Sequence, residues 1–309
     1  MKKATFDPGL TQKFTGVLRR SINKDGSFNV RRQGGSWRHL HPYLTLLNMN
    51  WMEFFLLVFA AYCVVNLLFA VGYFLLGPGA LQGVEATTPG GRFLTDFFFS
   101  AHTLTTVGYG NIYPESLGAN IISTIEALVG LLSAALGTGL LFGRFSRPSA
   151  RIAFSDRILV APYEDRSSVQ FRILNLRPNV LMEVQAHMVL MTVEGPPGAL
   201  TRKYQPLKLE RDDLYFLALS WTIVHPIDEE SPLFGKTRED LASLQAEFVI
   251  MIKAFDDTFA QAVHARYSYR YDEVTWQARF QPAFEIDSEG NMVLHVDRVS
   301  SQAAIAGNS

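Results

Sequence analysis

The stretch Thr95–Gly110, which reads TDFFFSAHTLTTVGYG, decides the fold of this chain. Its first part, Thr95–Thr105, is apolar and predicts a short helix with Thr95 and Asp96 as the N-terminal cap or first-turn residues. Because a helix rises about 1.5 Å per residue and a bilayer core is about 30 Å thick, this segment is too short to cross a membrane. It therefore predicts a re-entrant helix that leads directly into the loop Thr106–Gly110.

Two long apolar runs flank this stretch. The first, Trp51–Leu76, holds one charged residue, Glu53, near its start. The second, Ala119–Phe145, holds one acidic residue, Glu126, and is rich in the small residues that allow membrane helices to approach closely. A run of about 20 apolar residues is long enough to span a bilayer. Each run therefore predicts a transmembrane helix, and the re-entrant helix lies between the two.

The distribution of basic residues predicts the orientation. Arg92 is the only basic residue in the connection between the two runs. By the positive-inside rule, both termini of this multi-pass protein are expected in the cytoplasm and the connection outside. The basic residues beyond the outer ends of the runs are Arg31, Arg32, Arg38, Arg144, Arg147 and Arg151.

The loop sequence TVGYG is that of the selectivity filters of potassium channels. When four subunits meet, the carbonyl oxygens of Thr106, Val107, Gly108 and Tyr109, with the Thr106 hydroxyl below them, can replace the hydration shell of K⁺. Successive carbonyls that point at one axis need backbone angles of alternating hand, which glycine tolerates at Gly108 and Gly110. Five residues with two glycines could also form an ordinary turn, but the place of this loop between two spans favours the filter.

Glu126 and His102 are ionisable residues in apolar surroundings, which makes both functional candidates. Glu126 is expected to be a hydrogen-bonded structural group packed behind the filter. His102 lies just before the filter, where it could tune the filter with pH, but a packing role is favoured. Cys63, the only cysteine, excludes a disulfide within the subunit and is interpreted as a small apolar residue.

The second half predicts a separate, all-β cytoplasmic domain. Its short, partly alternating apolar segments are divided by Pro/Gly-rich or polar stretches, as in an antiparallel, immunoglobulin-like sandwich. Thr237–Asp240 resembles a capping box that opens one short helix to about Ala246. No dinucleotide-binding, Walker or metal-ligand motif occurs here, so an enzyme has no support. The clearest predicted strands are Val169–Leu176, Glu183–Val193, Phe248–Lys253 and Ala262–Tyr271.

Taken together, the chain resembles the prokaryotic inward-rectifier potassium channels of the KirBac type over about Trp37–Val299. The resemblance is carried by TTVGYG at 105–110, STIEALVG at 123–130, GRFSRP at 143–148 and HPIDEESPLFG at 225–235. It implies a homotetramer that conducts K⁺ without a cofactor. It also implies four segments: an N-terminal cytoplasmic arm (1–36), an interfacial slide helix (37–49), a pore domain (50–148) and a cytoplasmic β-sandwich (149–309).

The resemblance also assigns roles to residues of the second span. Phe142 matches the bulky residue that forms the gate. Ala134 matches the cavity position that is acidic in strong rectifiers, so strong rectification is not expected. His102 stands where eukaryotic members place a glutamate that braces the filter. Arg144, Arg147 and Arg151 match the basic linker that meets anionic lipid headgroups such as phosphoinositides, although they could equally be positive-inside anchors.

The sequence thus predicts a passive potassium conductor that its cytoplasmic domain gates through the slide helix. Two alternatives remain open: gating by a ligand other than lipid, and a membrane-anchored sensor whose pore does not conduct. The whole-chain net charge of −1 argues against a nucleic-acid partner.

Overall fold

The computed structural model describes residues 8–10, 13–14, 20–30, 42–84, 86, 88–146, 150–196 and 199–305. The chain forms two compact units. One is Gln33–Arg147, and the other combines Met1–Arg32 with Pro148–Ser309. The N-terminal arm therefore belongs to the same folded unit as the C-terminal half.

Within the described residues, helices and strands are numbered separately along the chain. The helices are α1 (Pro42–Asn48), α2 (Trp51–Leu75), α3 (Pro89–Leu104), α4 (Leu117–Phe145) and α5 (Arg238–Ser243). Short 3₁₀ helices cover Tyr271–Glu273 and Val296–Arg298. The strands are β1 (Lys13–Phe14), β2 (Leu81–Gln82), β3 (Tyr113–Pro114), β4 (Ile152–Phe154), β5 (Ile158–Tyr163), β6 (Arg166–Asn175), β7 (Leu181–Glu194), β8 (Leu200–Leu207), β9 (Asp213–Leu217), β10 (Ser220–Ile227), β11 (Glu247–Asp256), β12 (Gln261–Arg270), β13 (Val274–Trp276), β14 (Ala278–Phe280), β15 (Phe284–Ile286), β16 (Met292–Leu294) and β17 (Gln302–Ala304).

The two predicted spans are helices α2 and α4, and both are long and apolar enough to cross a membrane. Asn50 precedes α2 and forms a capping box with Glu53. Helix α4 begins two residues before the predicted Ala119, because the Ser116 side chain accepts a hydrogen bond from the Ala119 amide at 3.1 Å. Of the predicted slide helix, α1 is the part that the structure describes, and residues 37–41 lie outside the described residues.

The re-entrant helix α3 begins at Pro89, six residues before the predicted start, so the expected cap at Thr95 and Asp96 is wrong. Thr88 is the N-cap, and its side chain accepts from the Gly91 amide at 3.2 Å. Pro89 then occupies the first turn, where its fixed φ suits a helix and its missing N–H costs nothing. The sequence Pro-Gly-Gly reads as a breaker, which is why the apolar pattern alone placed the start too late.

The other unit is a sandwich of two sheets. One sheet has the order β1-β8-β7-β11-β12, with β9 also paired to β7, and the other has the order β10-β6-β5-β13, with β4 paired to β6. Side chains of both sheets meet in one apolar core, which confirms the predicted sandwich. The described strand pairs are antiparallel as predicted except for one, because β13 runs parallel to β5. The largest fully buried members of the core include Ile158, Phe171, Leu190, Phe248 and Tyr269.

The capping box at the start of α5 is confirmed. The Asp240 amide donates to Thr237 Oγ1 at 3.2 Å, and the Thr237 amide donates to Asp240 Oδ2 at 2.8 Å. The helix ends at Ser243 rather than near Ala246, because the Ala246 amide bonds the Leu241 carbonyl and the chain turns into β11.

The N-terminal arm is held on the sandwich by a buried carboxylate. Glu247, which is 1% exposed, accepts hydrogen bonds from the Ser21 amide at 2.9 Å and the Ser21 hydroxyl at 3.0 Å. The Ser268 hydroxyl donates to the Ile22 carbonyl at 2.8 Å. Because these partners lie far apart in the chain, the arm is part of the sandwich's hydrogen-bonded structure.

The HPIDEESPLFG segment begins with a buried histidine whose two ring nitrogens both have hydrogen-bond partners. His225 is 3% exposed; its Nδ1 lies 2.6 Å from the Lys208 carbonyl oxygen and its Nε2 lies 2.8 Å from Ser231 Oγ. A carbonyl can only accept, so Nδ1 carries the proton and Nε2 accepts from the serine hydroxyl in the neutral ring. Burial lowers the pKa of His225 below its usual value, since a charged imidazolium loses its hydration there.

This environment predicts a pH dependence of stability. The folded protein binds fewer protons at His225 than the unfolded chain, so the free energy of unfolding should fall as pH drops below about 6.5 toward the lowered folded pKa, by at most about 1.4 kcal/mol per pH unit. Above about pH 6.5 this contribution is fully present. Thermal unfolding of the full chain in detergent, followed at several pH values, should show a flatter dependence for His225→Gln than for the wild type.

His187→Gln is the matched control, because His187 is exposed on β7. It should leave the wild-type pH dependence in place. If both variants keep the same slope as the wild type, His225 is not the group responsible.

Candidate functional site

The predicted filter loop follows α3 through a tight helix end. The Val107 amide donates to the His102 carbonyl at 2.9 Å, and the Thr106 amide donates to the Thr103 carbonyl at 3.0 Å. This is the pattern of a Schellman motif, in which the residue after the helix cap adopts a left-handed conformation. Thr106 occupies that position with φ of 59°. The loop therefore leaves the helix in a direction that backbone hydrogen bonds define.

Left-handed residues alternate along the loop. Thr106, Gly108 and Gly110 have φ values of 59°, 51° and 82°. The sequence predicted the alternation at the two glycines but missed Thr106, because a β-branched residue rarely adopts positive φ. Holding a non-glycine residue there costs about 1–2 kcal/mol, so the surrounding structure must impose it.

The whole loop is exposed in the single chain. Residues 105–111 are all exposed, and the side chains of Val107 and Tyr109 are 52% and 74% exposed. The His102 ring packs edge-on against the Tyr109 ring, with centroids 4.8 Å apart and planes at 88°. This contact gives His102 the packing role that the sequence favoured.

A buried polar cluster behind the loop joins the three long helices. Glu126 on α4 is fully buried and accepts hydrogen bonds from Tyr73 Oη on α2 at 2.7 Å and from Ser100 Oγ on α3. Ser100 Oγ also lies 3.1 Å from Asn66 Oδ1, and Asn66 Nδ2 donates to the Tyr62 carbonyl at 2.7 Å. Glu126 is therefore a hydrogen-bonded group, as expected. Its partners lie far from it in the chain, which is why the sequence could not name them.

Close backbone packing places α4 against the end of α3. A Cβ atom added to Gly130 would lie 2.0 Å from the Leu104 carbonyl oxygen, so any larger residue would push the two helices apart. Tyr73 also packs edge-on against Phe99, with ring centroids 5.1 Å apart. These contacts fix the helix end from which the filter loop departs.

A second polar contact holds the first half of α3. The Arg92 guanidinium donates from Nη2 to the Phe74 carbonyl at 2.7 Å and lies over the Phe74 ring, 4.9 Å from its centroid. Arg92 Nε is 4.0 Å from Oδ2 of Asp96, which is 2% exposed. From the sequence, Arg92 served only to predict the orientation in the membrane, and Asp96 only to predict a helix cap. Their spacing at i and i+4 on one helix is the signal that could have paired them.

The predicted gate and cavity residues lie on the lower half of α4. Phe142 is 72% exposed and Ala134 is also exposed in the single chain. Eight residues of helix separate them by about 12 Å along the axis. Nothing in the single chain covers these side chains among the described residues, so both are available to face an axis or a neighbouring subunit.

The three arginines predicted to meet lipid headgroups differ in their surroundings. Arg144 donates to the Leu46 and Met49 carbonyls, so its guanidinium already has protein partners. Arg147 lies outside the described residues. Arg151 belongs to the other unit and is exposed.

The predicted K⁺ ligands of the loop are backbone oxygens rather than acidic or imidazole side chains. In the part of the chain that the structure describes, no group of three or more His, Cys, Asp or Glu side chains could hold a metal ion. Backbone carbonyls are the ligands with which selectivity filters replace the hydration shell of a monovalent cation.

Comparison with known proteins agrees with this geometry. Residues 152–307 match the inward rectifier potassium channel C-terminal domain, and residues 60–146 match a family described as ion channel. The chain is 36% identical to the inward rectifier potassium channel Kirbac3.1 of Paramagnetospirillum magnetotacticum over 283 residues, which cover 90% of this chain and 94% of that protein.

More distant relatives share most of the chain. The human G protein-activated inward rectifier potassium channel 3 is 29% identical over an alignment of 310 positions, which covers 93% of this chain and 78% of the human protein. Its counterpart in Mus musculus matches to the same extent. These relatives are membrane channels rather than enzymes. With its family-model match and its similarity to Kirbac3.1, the chain belongs to the inward rectifier potassium channel family.

Proposed function

We propose that four copies of this chain form a pore that K⁺ crosses passively, with Thr106–Gly110 as the selectivity filter. The observation that carries the proposal is the exposed loop with alternating left-handed residues after α3. Carbonyl oxygens of Thr106, Val107, Gly108 and Tyr109 from four subunits would form successive rings around the ion. K⁺ is then the permeant ion, and no cofactor takes part.

The need for neighbouring subunits follows from the lipid that surrounds a membrane protein. Irregular backbone cannot face lipid, because its N–H and C=O groups find no hydrogen-bond partners in hydrocarbon. In the single chain the loop is uncovered, so a lone subunit in a membrane would leave these groups unsatisfied. Four subunits around one axis would cover the outer side of each loop. The carbonyls on the inner side would then bind the permeant ion. The homotetramer is therefore part of the proposal.

The gate is proposed at Phe142. Four such rings at the lower end of α4 can close the path by excluding water. Ala134, about two turns above, puts no negative charge into the cavity, so the proposal includes weak rather than strong rectification. The protein would lie in a bacterial inner membrane with both termini in the cytoplasm. The sandwich would then act on the gate through α1 and the end of α4.

Anionic lipids are the proposed gating ligands. The linker after α4 carries Arg147 and Arg151, whose charges suit the phosphates of phosphoinositide or other anionic headgroups. The exposure of Arg151 is consistent with such contact. Lipid titration during the flux measurement below tests this part, since a lipid-sensitive channel should change its rate with the anionic fraction.

Replacing Gly108 with Ala should reduce potassium uptake into liposomes that contain the purified protein at least about tenfold. The reason is that the left-handed backbone costs an alanine about 1–2 kcal/mol in each of four subunits. Wild-type uptake should be selective for K⁺ over Na⁺ and blocked by Ba²⁺.

The control is Gly90→Ala. Gly90 lies in the first turn of α3, and an added Cβ there meets no atom within 4 Å. This variant should conduct like the wild type. Equal uptake by Gly108→Ala and the wild type would contradict the assignment of the filter.

Phe142→Ala should raise potassium flux, because it removes the ring that narrows the proposed gate. The control is Leu136→Ala on the same helix. Leu136 is 70% exposed and lies about 120° around the helix from Phe142, so its side chain should face away from the proposed path. Single-channel recording or liposome uptake checks both. If the wild type conducts and Phe142→Ala changes nothing, the constriction lies elsewhere.

A further inference from the structure

A polar cavity of about 230 Å³ lies between the segment that follows α2 and the first half of α3. Residues 77–84 line it, together with Tyr73, Arg92 and Asp96. A cavity of this volume has room for a small ion and several water molecules. It lies apart from the proposed filter carbonyls and from the proposed gate, so a ligand bound here would occupy a separate site.

The residue that sets the chemistry of this cavity is Asp96. Its side chain is buried, and its Oδ2 atom has no hydrogen-bond donor among the described residues. Arg92 Nε lies 4.0 Å from this oxygen, which is too long for a hydrogen bond, and Arg92 Nη2 donates to the Phe74 carbonyl instead. A buried carboxylate is costly unless donors or a cation compensate it. Asp96 is therefore short of one partner, and the cavity beside it is where that partner can lie.

The other groups around the cavity favour a cation. Helix α2 ends at Leu75, so the cavity lies at its C-terminal end, where the last carbonyls carry a partial negative charge. The carbonyls of Pro78 and Gly79, which also line the cavity, accept no hydrogen bond from the described residues. Carboxylate, carbonyl and water oxygens are the ligands that hard cations take. The cavity thus offers oxygen ligands of all three kinds.

The charge balance favours a monovalent ion over a divalent one. Among the described residues that line the cavity, Arg92 and Asp96 are the only charged ones, and their charges cancel. A divalent ion would leave two positive charges uncompensated, and the described part of the chain has no group of three or more His, Cys, Asp or Glu side chains to hold it. A monovalent ion adds one charge beside the negative end of α2 and can keep some of its water.

We propose that this cavity binds a monovalent alkali cation of the K⁺ class, with the Asp96 carboxylate as its charged ligand and with carbonyl oxygens and water as the others. The site goes beyond the proposed function, because it lies outside the row of filter carbonyls. It can be occupied whether or not the pore conducts.

The wall of the cavity is joined to the segment that follows the filter loop. The Ala80 carbonyl accepts a hydrogen bond from the Glu115 amide at 2.9 Å, and β2 pairs with β3. A Cβ atom added to Gly83 would lie 2.0 Å from the Asn111 carbonyl oxygen, so the two segments are in direct backbone contact. A cation that holds Asp96 to residues 77–84 should therefore also steady the residues after the filter loop.

Anomalous X-ray scattering from Tl⁺ tests the site directly. Crystals of the full chain grown with Tl⁺ in place of K⁺ should show an anomalous peak in the cavity, in contact with the Asp96 carboxylate. An empty cavity overturns the inference. The filter loop is the internal reference, since Tl⁺ should also lie there if the proposed function is right. A peak in the cavity without peaks along the filter loop contradicts the proposed function and leaves the cavity site standing.

Asp96→Asn is the decisive variant, because it keeps the shape of the side chain and removes its charge. The cavity peak should disappear, while the peaks along the filter loop remain. Glu115→Gln is the matched control, since Glu115 is an exposed carboxylate near the cavity that does not line it. This variant should keep the cavity peak. A peak of unchanged height in Asp96→Asn contradicts the role of Asp96.

A second measurement is made in solution. Amide hydrogen exchange of the peptide that covers residues 77–84 is compared in K⁺ and in the bulky cation N-methyl-D-glucamine at equal ionic strength. At a K⁺ concentration of about twice the Kd, the wild-type peptide should exchange about threefold more slowly in K⁺. Glu115→Gln should keep this difference and Asp96→Asn should lose it. Equal exchange of the wild type in both salts, or a K⁺ effect of equal size in Asp96→Asn, overturns the inference.

Discussion

The structure depends on one constraint: a stretch of irregular backbone must exist at membrane depth without facing lipid. Residues 105–111 carry carbonyls that no helix or strand uses, and in the single chain they are uncovered. Such backbone is tolerated only where protein covers it or where it lines a water path. The rest of the helical unit meets this constraint, since α2 and α4 hold α3, and α3 sets the direction in which the loop leaves. The proposed homotetramer would meet the rest of this constraint by placing other subunits around the loop.

Behind the loop, the three long helices are held together by buried polar groups as well as by apolar packing. A carboxyl group in a membrane helix is costly unless it is paired or hydrogen-bonded. Glu126 meets that condition through the hydroxyls of Tyr73 and Ser100, one from each neighbouring helix. Because hydroxyls from two helices must both reach one carboxyl, the cluster constrains the relative placement of the three helices as well as adding stability. Gly130 also constrains the placement of the helices, because its lack of a side chain allows α4 to contact the end of α3.

Patterns that act within one segment were readable from the sequence. Length and apolar content located both spans, and alternation located the sandwich, while the assignment of the five-residue loop as the filter stays a prediction. Errors came where a local signal competed with another. Pro89-Gly90-Gly91 reads as a breaker but opens α3, and the parallel pairing of β13 with β5 depends on a long crossover connection that no strand pattern encodes. Contacts between distant residues, such as Ser21 with Glu247, were beyond the sequence for the same reason.

The arginines after α4 show why charge counting assigns orientation better than it assigns function. The positive-inside rule treats Arg144, Arg147 and Arg151 as equivalent, since it depends only on their number and side of the membrane. The surroundings of Arg144 and Arg151 are not equivalent. The Arg144 guanidinium donates to two carbonyls and lies against two aromatic rings, whereas Arg151 is exposed. Charge counting therefore cannot distinguish an arginine that has protein partners from one whose guanidinium faces solvent. A single basic cluster in the sequence can thus contain side chains with different surroundings in the folded chain, and only the structure separates them.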